Sequence, residues 1–253
     1  MRGMYEVVQQ EARRFEQELR GHGFTNADVG VLDWDGWRTQ TRLTGPGVSN
    51  ISALKEVKWP DPFLRLYHTQ VSDLSPLTNI PLVELILYDA PNVSDLSLSV
   101  LHGMRLEIFG LAGTSVSHLG PLKGMPLHYF GLVSSRVNDL SVLAPMQLFS
   151  CTLISNKVSD ITVIKGHPLH TLILHEPTVI DISALNGAPL KVLDIRGSGV
   201  RDLSPIESAP LERIWFTVGI VTNGIDVLRK MHTLKEINGM PAAKYWAQYD
   251  KTP

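Results

Sequence analysis

One phrase recurs along most of this chain. It reads V-x-D-[LI]-S-x-[LIV], then a variable link, then P-L-x-x-L-x-L. Copies start at Val48, Val71, Val93, Val116, Val137, Val158, Val179 and Val200, with a last start at Val221. From Val71 the spacing is 22, then 23, then 21 throughout. A repeat this short limits the fold more than any other feature, because each copy has room for only one strand and one turn.

The second half of each copy alternates apolar residues with period two, as in Leu172 and Leu174, Leu193 and Ile195, Ile214 and Phe216, and Phe130 and Leu132. That spacing predicts a short strand with one face inward. The first half places apolar residues three apart, as in Val71, Leu74 and Leu77, which suits a tight 3-10 or helical turn. Such a coil cannot bury its own inner face and must bury it against the coils on either side. The expected fold is an α/β solenoid, right-handed, with a parallel sheet on the concave face and short turns on the convex one. The expected organisation is a capping helix and leading strand over 1–47, about eight repeats over 48–220, and a C-terminal cap over 221–253.

The LxxLxL element (Leu169, Leu172, Leu174; Leu190, Leu193, Ile195) followed by VxDLSPL (Val71 to Leu77, Val200 to Ile206) resembles the leucine-rich repeat family. The short form is similar to the bacterial, internalin-like subtype, and the resemblance runs from about Val48 to Gly239. The family places a buried asparagine two residues before the repeat valine. Here those positions hold Thr69, Pro91, Thr114, Ser135, Asn156, Pro177, Ser198 and Gly219, so a mixed ladder is expected in its place. The closing segment Leu228 to Trp246, with phrases such as LKGMPL (Leu122 to Leu127), resembles repeat regions of planctomycete-type bacterial proteins, some of them kinase-linked.

Bulk properties narrow the partner class. The chain of 253 residues is 43% hydrophobic and 19% charged, with a formal net charge of −2. That composition supports a packed core, and the lack of basic excess argues against nucleic acid or an anionic membrane as partner. The single cysteine, Cys151, leaves no internal disulfide framework. The start is too charged for a signal peptide, and no apolar run is long enough to span a bilayer. These features suggest a cytoplasmic protein. Two glycosylation-type triplets, at Asn50 and Asn92, arise readily by chance and carry no weight.

The residues that invite a chemical reading also have structural ones. Asp73, Asp95, Asp139, Asp160, Asp181 and Asp202 recur at the third position of six copies. An aspartate just before a tight turn caps backbone N–H groups, whereas calcium needs several oxygens at one point. Cys151 takes a place that Leu172 and Leu193 fill elsewhere and should point inward. His167, His170 and His175 lie close in sequence but face different ways. No catalytic, metal or phosphate-binding motif occurs, so no catalytic residue, metal or cofactor is expected.

The ends read as caps. Val8, Ala12, Phe15 and Leu19 form one helical stripe, Gly21 is a natural stop, and Trp34 to Leu43 reads as a leading strand with Thr41 and Leu43 inward. Near the C-terminus Asn223 is expected to cap a short helix carrying Val227, Leu228 and Met231. Leu234 and Ile237 should form a last strand-like turn, and Pro241 should open a helix holding Trp246.

Eight coils stacked at about 4.8 Å would offer a concave strip on the order of 40 Å long. Its outward positions are expected to include Phe63, Arg65, Tyr67, Glu84, Ile86, Tyr88, Ile108, Tyr129, Ile154, Ile173, His175, Asp194, Arg196, Arg213 and Trp215, with Gly110 and Gly131 as a shallow dip. Aromatic and apolar residues ringed by charges are typical of protein interfaces. The expected function is binding of a protein or peptide, with Tyr67, Tyr88, Tyr129 and Trp215 as anchors. The alternative is a regulatory or structural segment of a larger, kinase-associated signalling protein.

Overall fold

The structure is a computed structural model that describes residues 2–31, 39–59 and 62–250. Part of the expected leading strand, from Trp34 to Arg38, lies outside the described residues. The chain divides into two compact units, one of Met1–Leu127 with Ser134–Arg136, the other of His128–Val133 with Val137–Pro253.

In the first unit helix α1 (Arg2–Gly21) packs against strand β1 (Ala27–Val31). Its buried residues Ala12, Phe15 and Leu19 sit on one stripe, and Val8 extends it half-buried. The repeat pattern gives no sign of β1, which runs antiparallel to β2 (Thr39–Thr44) with Val29 opposite Thr41. From β2 onward the pairing is parallel, through β3 (Phe63–Tyr67), β4 (Glu84–Tyr88) and β5 (Ile108–Ala112). Thr41, Leu64, Leu85 and Phe109 share one inward level, and Leu43, Leu66, Leu87 and Leu111 the next. None of the eight is more than 2% exposed. Each leucine so buried contributes about 1.5–3 kcal/mol, and it does so only against the neighbouring coils.

The convex turns are 3-10 at Ser52–Lys55, Ser75–Leu77 and Gly120–Leu122. The copy that starts at Val93 has 23 residues, two more than the usual 21. It instead forms helix α2 (Asp95–Ser99), whose start is closed by the Ser94 N–H donating to Ser97 Oγ at 3.1 Å.

The second unit holds β6 (Tyr129–Val133), β7 (Ser150–Ile154), β8 (Thr171–His175), β9 (Val192–Asp194), β10 (Arg213–Trp215) and β11 (Glu236–Ile237), all parallel. An antiparallel β12 (Met240–Pro241) ends the series. Phe130, Cys151, Leu172, Leu193, Ile214 and Ile237 share one inward level, so Cys151 is a core residue. Burial pushes its thiol up to about 12. The turns are 3-10 at Ser141–Leu143, Thr162–Ile164, Ser183–Leu185 and Ser204–Ile206.

Five of the recurring aspartates cap their own turns. Asp73, Asp139, Asp160, Asp181 and Asp202 each accept the N–H two residues on, at 2.7–2.8 Å. Asp95 differs. The next coil has His118 where an aspartate is usual, and Asp95 reaches across to accept the N–H groups of Ser117 and His118 at 2.8 and 2.9 Å.

The ladder before the repeat valine also differs from the sequence register. Pro91 and Pro177 are exposed, and the residues before them, Ala90 and Glu176, are fully buried in their stead. Glu176 accepts the Asn156 N–H at 2.9 Å and the Asn156 Nδ2–H at 2.7 Å, while Nδ2 also donates to Leu132 O at 2.9 Å.

At the C-terminus helix α3 (Ile225–Lys230) starts from Gly224 in the left-handed region, φ 74°. Asn223 does not cap it. Its N–H donates to Arg201 O and its carbonyl accepts from Leu203 N, so it extends the coil below. Helix α4 (Ala242–Tyr249) follows Pro241 as expected. Tyr245 meets Phe216 edge-on, and the Arg229 guanidinium lies 4.5 Å over the Trp246 ring. Among the described residues no helix is long and apolar enough to cross a membrane.

Candidate binding face

Strand alternation sends every second side chain of each unit to the face opposite its core. In the first unit the register pairs Arg42 with Arg65 and Ile86, Thr44 with Tyr67 and Tyr88, and Phe63 with Glu84 and Ile108. Tyr88 is 44% exposed, and Tyr67, Ile86 and Ile108 are half-buried. The two tyrosine rings lie 5.5 Å apart, and Arg42 sits 5.4 Å over Tyr67. Phe63 and Glu84 occupy outward register positions but are only 2% and 3% exposed. Glu84 lies beneath Arg65, which donates to it through Nε at 2.5 Å and Nη2 at 3.3 Å. Burial opposes the charge on Arg65, but the hydrogen bonds and charge of Glu84 outweigh it and raise the arginine pKa.

The dip expected at Gly110 is filled. A Cβ there would come within 2.8 Å of Ile86 Cδ1, so the isoleucine already occupies the space over the glycine.

Two residues that sequence reasoning missed border this patch. His68 and Asp89 follow their strands at φ 56° and 50°, where the equivalent residues Gly113 and Gly197 are glycines. Left-handed backbone disfavours side chains by roughly 1–2 kcal/mol. Their Nδ1 and Oδ2 atoms lie 2.9 Å apart, and the imidazole stands edge-on to Tyr88 at 5.6 Å. Gln40 and Arg42 were missed too, although strict alternation from Thr41 and Leu43 places both on this face.

In the second unit one row runs Tyr129, Ser150, Thr171, Val192, Arg213 and a second runs Gly131, Thr152, Ile173, Asp194, Trp215. Val133, Ile154 and His175 form a third. Tyr129 is 47% exposed, Arg196 and Arg213 are exposed, and Ile154, Ile173, His175 and Trp215 are half-buried. Asp194 is buried at 6% and clamped by Arg196, whose Nε and Nη2 donate to it at 2.9 and 2.5 Å. His175 Nε2 lies 3.0 Å from Asp194 Oδ1, close enough for an ion pair though poorly aligned for a hydrogen bond. Burial pushes the Asp194 carboxyl up, but Arg196 and His175 outweigh it and hold the pKa below the ordinary value. Beside this network Ser155, Asn156, His175, Pro177, Arg196 and Gly197 line an open depression of about 700 Å³.

Among the described residues no three histidine, cysteine, aspartate or glutamate side chains converge as a metal site. What the faces offer is aromatic area and paired charges set on a stiff ladder.

No protein-family model and no curated protein matches the chain. Solved structures do. An internalin, InlF, from Listeria monocytogenes superposes with a TM-score of 0.60 at 21% identity, over 75% of this chain and 64% of that one. Internalin C2 from the same species gives a TM-score of 0.62 at 24% identity, over 72% of this chain and 82% of that one. The chain thus spans less than two thirds of the InlF structure. Together with the coils described above, these likenesses establish the fold as a leucine-rich repeat solenoid with helical caps.

Proposed function

We propose that this chain is a non-enzymatic interaction module that binds a protein or peptide through its sheet faces. The observation that carries the reading is large aromatic side chains standing exposed on an ordered sheet, Tyr88 at 44% and Tyr129 at 47%, with Tyr67 and Trp215 half-exposed beside arginines. Tyrosine, tryptophan and arginine are the side chains that most often dominate interface energies. A solvated sheet face without a partner would be mainly polar. The buried carboxyls of Glu84 and Asp194 hold Arg65 and Arg196 in fixed poses, so the arginines lose little freedom when a partner arrives. A role as a docking segment for a longer kinase-linked polypeptide has no observation in its favour.

Affinity capture from lysate of the source organism, read by mass spectrometry, tests the proposal. Wild type is compared with a Tyr88→Asp, Trp215→Asp variant whose fold is checked by circular dichroism. Proteins held by the first and lost by the second support binding at the faces. Equal captures by both exclude it.

A further inference from the structure

We propose that Asn186 is a site of spontaneous modification, where the folded chain converts to aspartate and isoaspartate. The sequence contains three Asn-Gly pairs, at Asn186, Asn223 and Asn238. This dipeptide is the one in which the following backbone nitrogen most easily reaches the side-chain carbonyl, because glycine adds no side chain to obstruct it.

The reaction needs the asparagine side chain free to swing and the glycine N–H free to approach. The fold treats the three pairs differently. Asn238 uses its Oδ1 to accept the Phe216 N–H at 2.9 Å, and its own N–H donates to Ile214 O at 2.9 Å. It is held in the left-handed region at φ 52° within the β11–β12 turn. Asn223 is built into a coil, with its N–H on Arg201 O at 2.9 Å and its carbonyl taking Leu203 N at 3.1 Å. Its side chain lies near the Asp202 carboxyl and helps to lower that group's pKa. Gly224 is wedged as well, since a Cβ there would lie 2.6 Å from Ser204 N. Neither pair can react without opening the local structure.

Asn186 has no such restraint. It is exposed and follows the 3-10 turn at φ −59°, ψ 123°, with Gly187 at φ 76°. These angles describe a type II turn on the surface. The Asn186 N–H donates to Ser183 O. Among the described residues its side chain has no hydrogen-bond partner, and the Gly187 N–H donates to no backbone carbonyl.

The Gly187 nitrogen loses its proton to solvent base and attacks the Asn186 side-chain carbonyl carbon. A C–N bond forms, the bond to Nδ2 breaks, and ammonia leaves with a proton from water. Solvent water then opens the five-membered imide at either carbonyl. One opening gives aspartate, the other isoaspartate, which carries an extra backbone carbon. The net change is loss of ammonia and gain of water, with no oxidation. The product adds a negative charge in the link that leads into β9; Asp194 on that strand and Arg196 just beyond it belong to the candidate face.

The test incubates the whole folded protein in mildly alkaline buffer, digests it under acidic conditions, and follows the three Asn-Gly peptides by mass spectrometry. The Asn186 peptide should gain one mass unit first, with Asn223 and Asn238 slower by roughly tenfold or more because each awaits local opening. Isoaspartyl methyltransferase with labelled S-adenosylmethionine should label the wild type and not the folded Asn186→Gln variant. The chain unfolded in urea should convert all three at similar rates. Conversion led by Asn223 or Asn238, or an Asn186 rate in the folded chain as slow as theirs, would overturn the assignment.

Discussion

Glu176 gives the sharpest test of how the coils are held together. It is fully buried, and Ala90 fills the corresponding buried place in another copy, so Glu176→Ala is sterically acceptable. The substitution removes the acceptor for two donors, the Asn156 N–H and one Nδ2–H, while the second Nδ2 proton keeps Leu132 O. An orphaned buried donor costs about 1–3 kcal/mol, which gives about 2–6 kcal/mol for two. Asn156 is only half-buried, and water reaching it favours the lower half, about 2–4 kcal/mol. Urea unfolding should show a lower midpoint at unchanged slope. A double-mutant cycle with Asn156→Ala should return a coupling of at least about 1 kcal/mol. A Glu176→Ala change within about 0.5 kcal/mol of wild type, or a coupling near zero, would refute the view that this carboxyl braces the coil.

His167 is 4% exposed, with neither ring nitrogen well bonded. Burial lowers its pKa, and the approach of the Ala144 backbone offsets only part of that. The unfolded chain therefore binds this proton at higher pH, so stability falls on acidification below the ordinary histidine range, near 6.5. His167→Met, which copies Met125 and Met146 at the equivalent position, should flatten that part of a melting-temperature profile against pH. The carboxyls of Asp73, Asp95, Asp160, Asp194 and Asp202 all titrate below their ordinary value. Their contribution is complete above about pH 4 and is lost as the pH falls further, which an acid titration of circular dichroism will read. His68→Gly and Asp89→Gly should each raise stability, by up to about 1–2 kcal/mol, and weaken capture of any partner bound beside Tyr88. A rise in both stability and binding would remove these residues from the face.

The repeat made the core legible, because a two-residue period in register leaves one inward solution for Leu64, Leu85, Leu172 and Leu193. The aspartate caps were legible for the same reason. The failures share a cause in spacing. One added residue moved the ladder from Pro91 to Ala90, and a one-residue shift put Glu176 inside in place of Pro177. Strand β1 carries no repeat phrase and forms only because β2 offers it an edge. On the candidate face, alternation found Tyr88, Tyr129, Arg196 and Trp215. It cannot see that Arg65 and Arg196 press Glu84 and Asp194 out of contact with solvent, nor that His68 and Asp89 accept a strained backbone to stand beside Tyr88.

The antiparallel pairs at β1–β2 and β11–β12 have a consequence for assembly. A stack of identical parallel coils is an open polymer, since its last strand offers the hydrogen-bonding edge that its first strand can receive. Each reversed strand covers the edge of the parallel ladder beside it: β1, with α1 packed on it, covers β2, and β12 covers β11. Deleting residues 1–38 should bare the edge of β2, deleting everything after 235 should bare the edge of β10, and either variant should self-associate more strongly than the full chain in sedimentation. A few terminal residues thus cover the edge that each unit's parallel ladder would otherwise leave open.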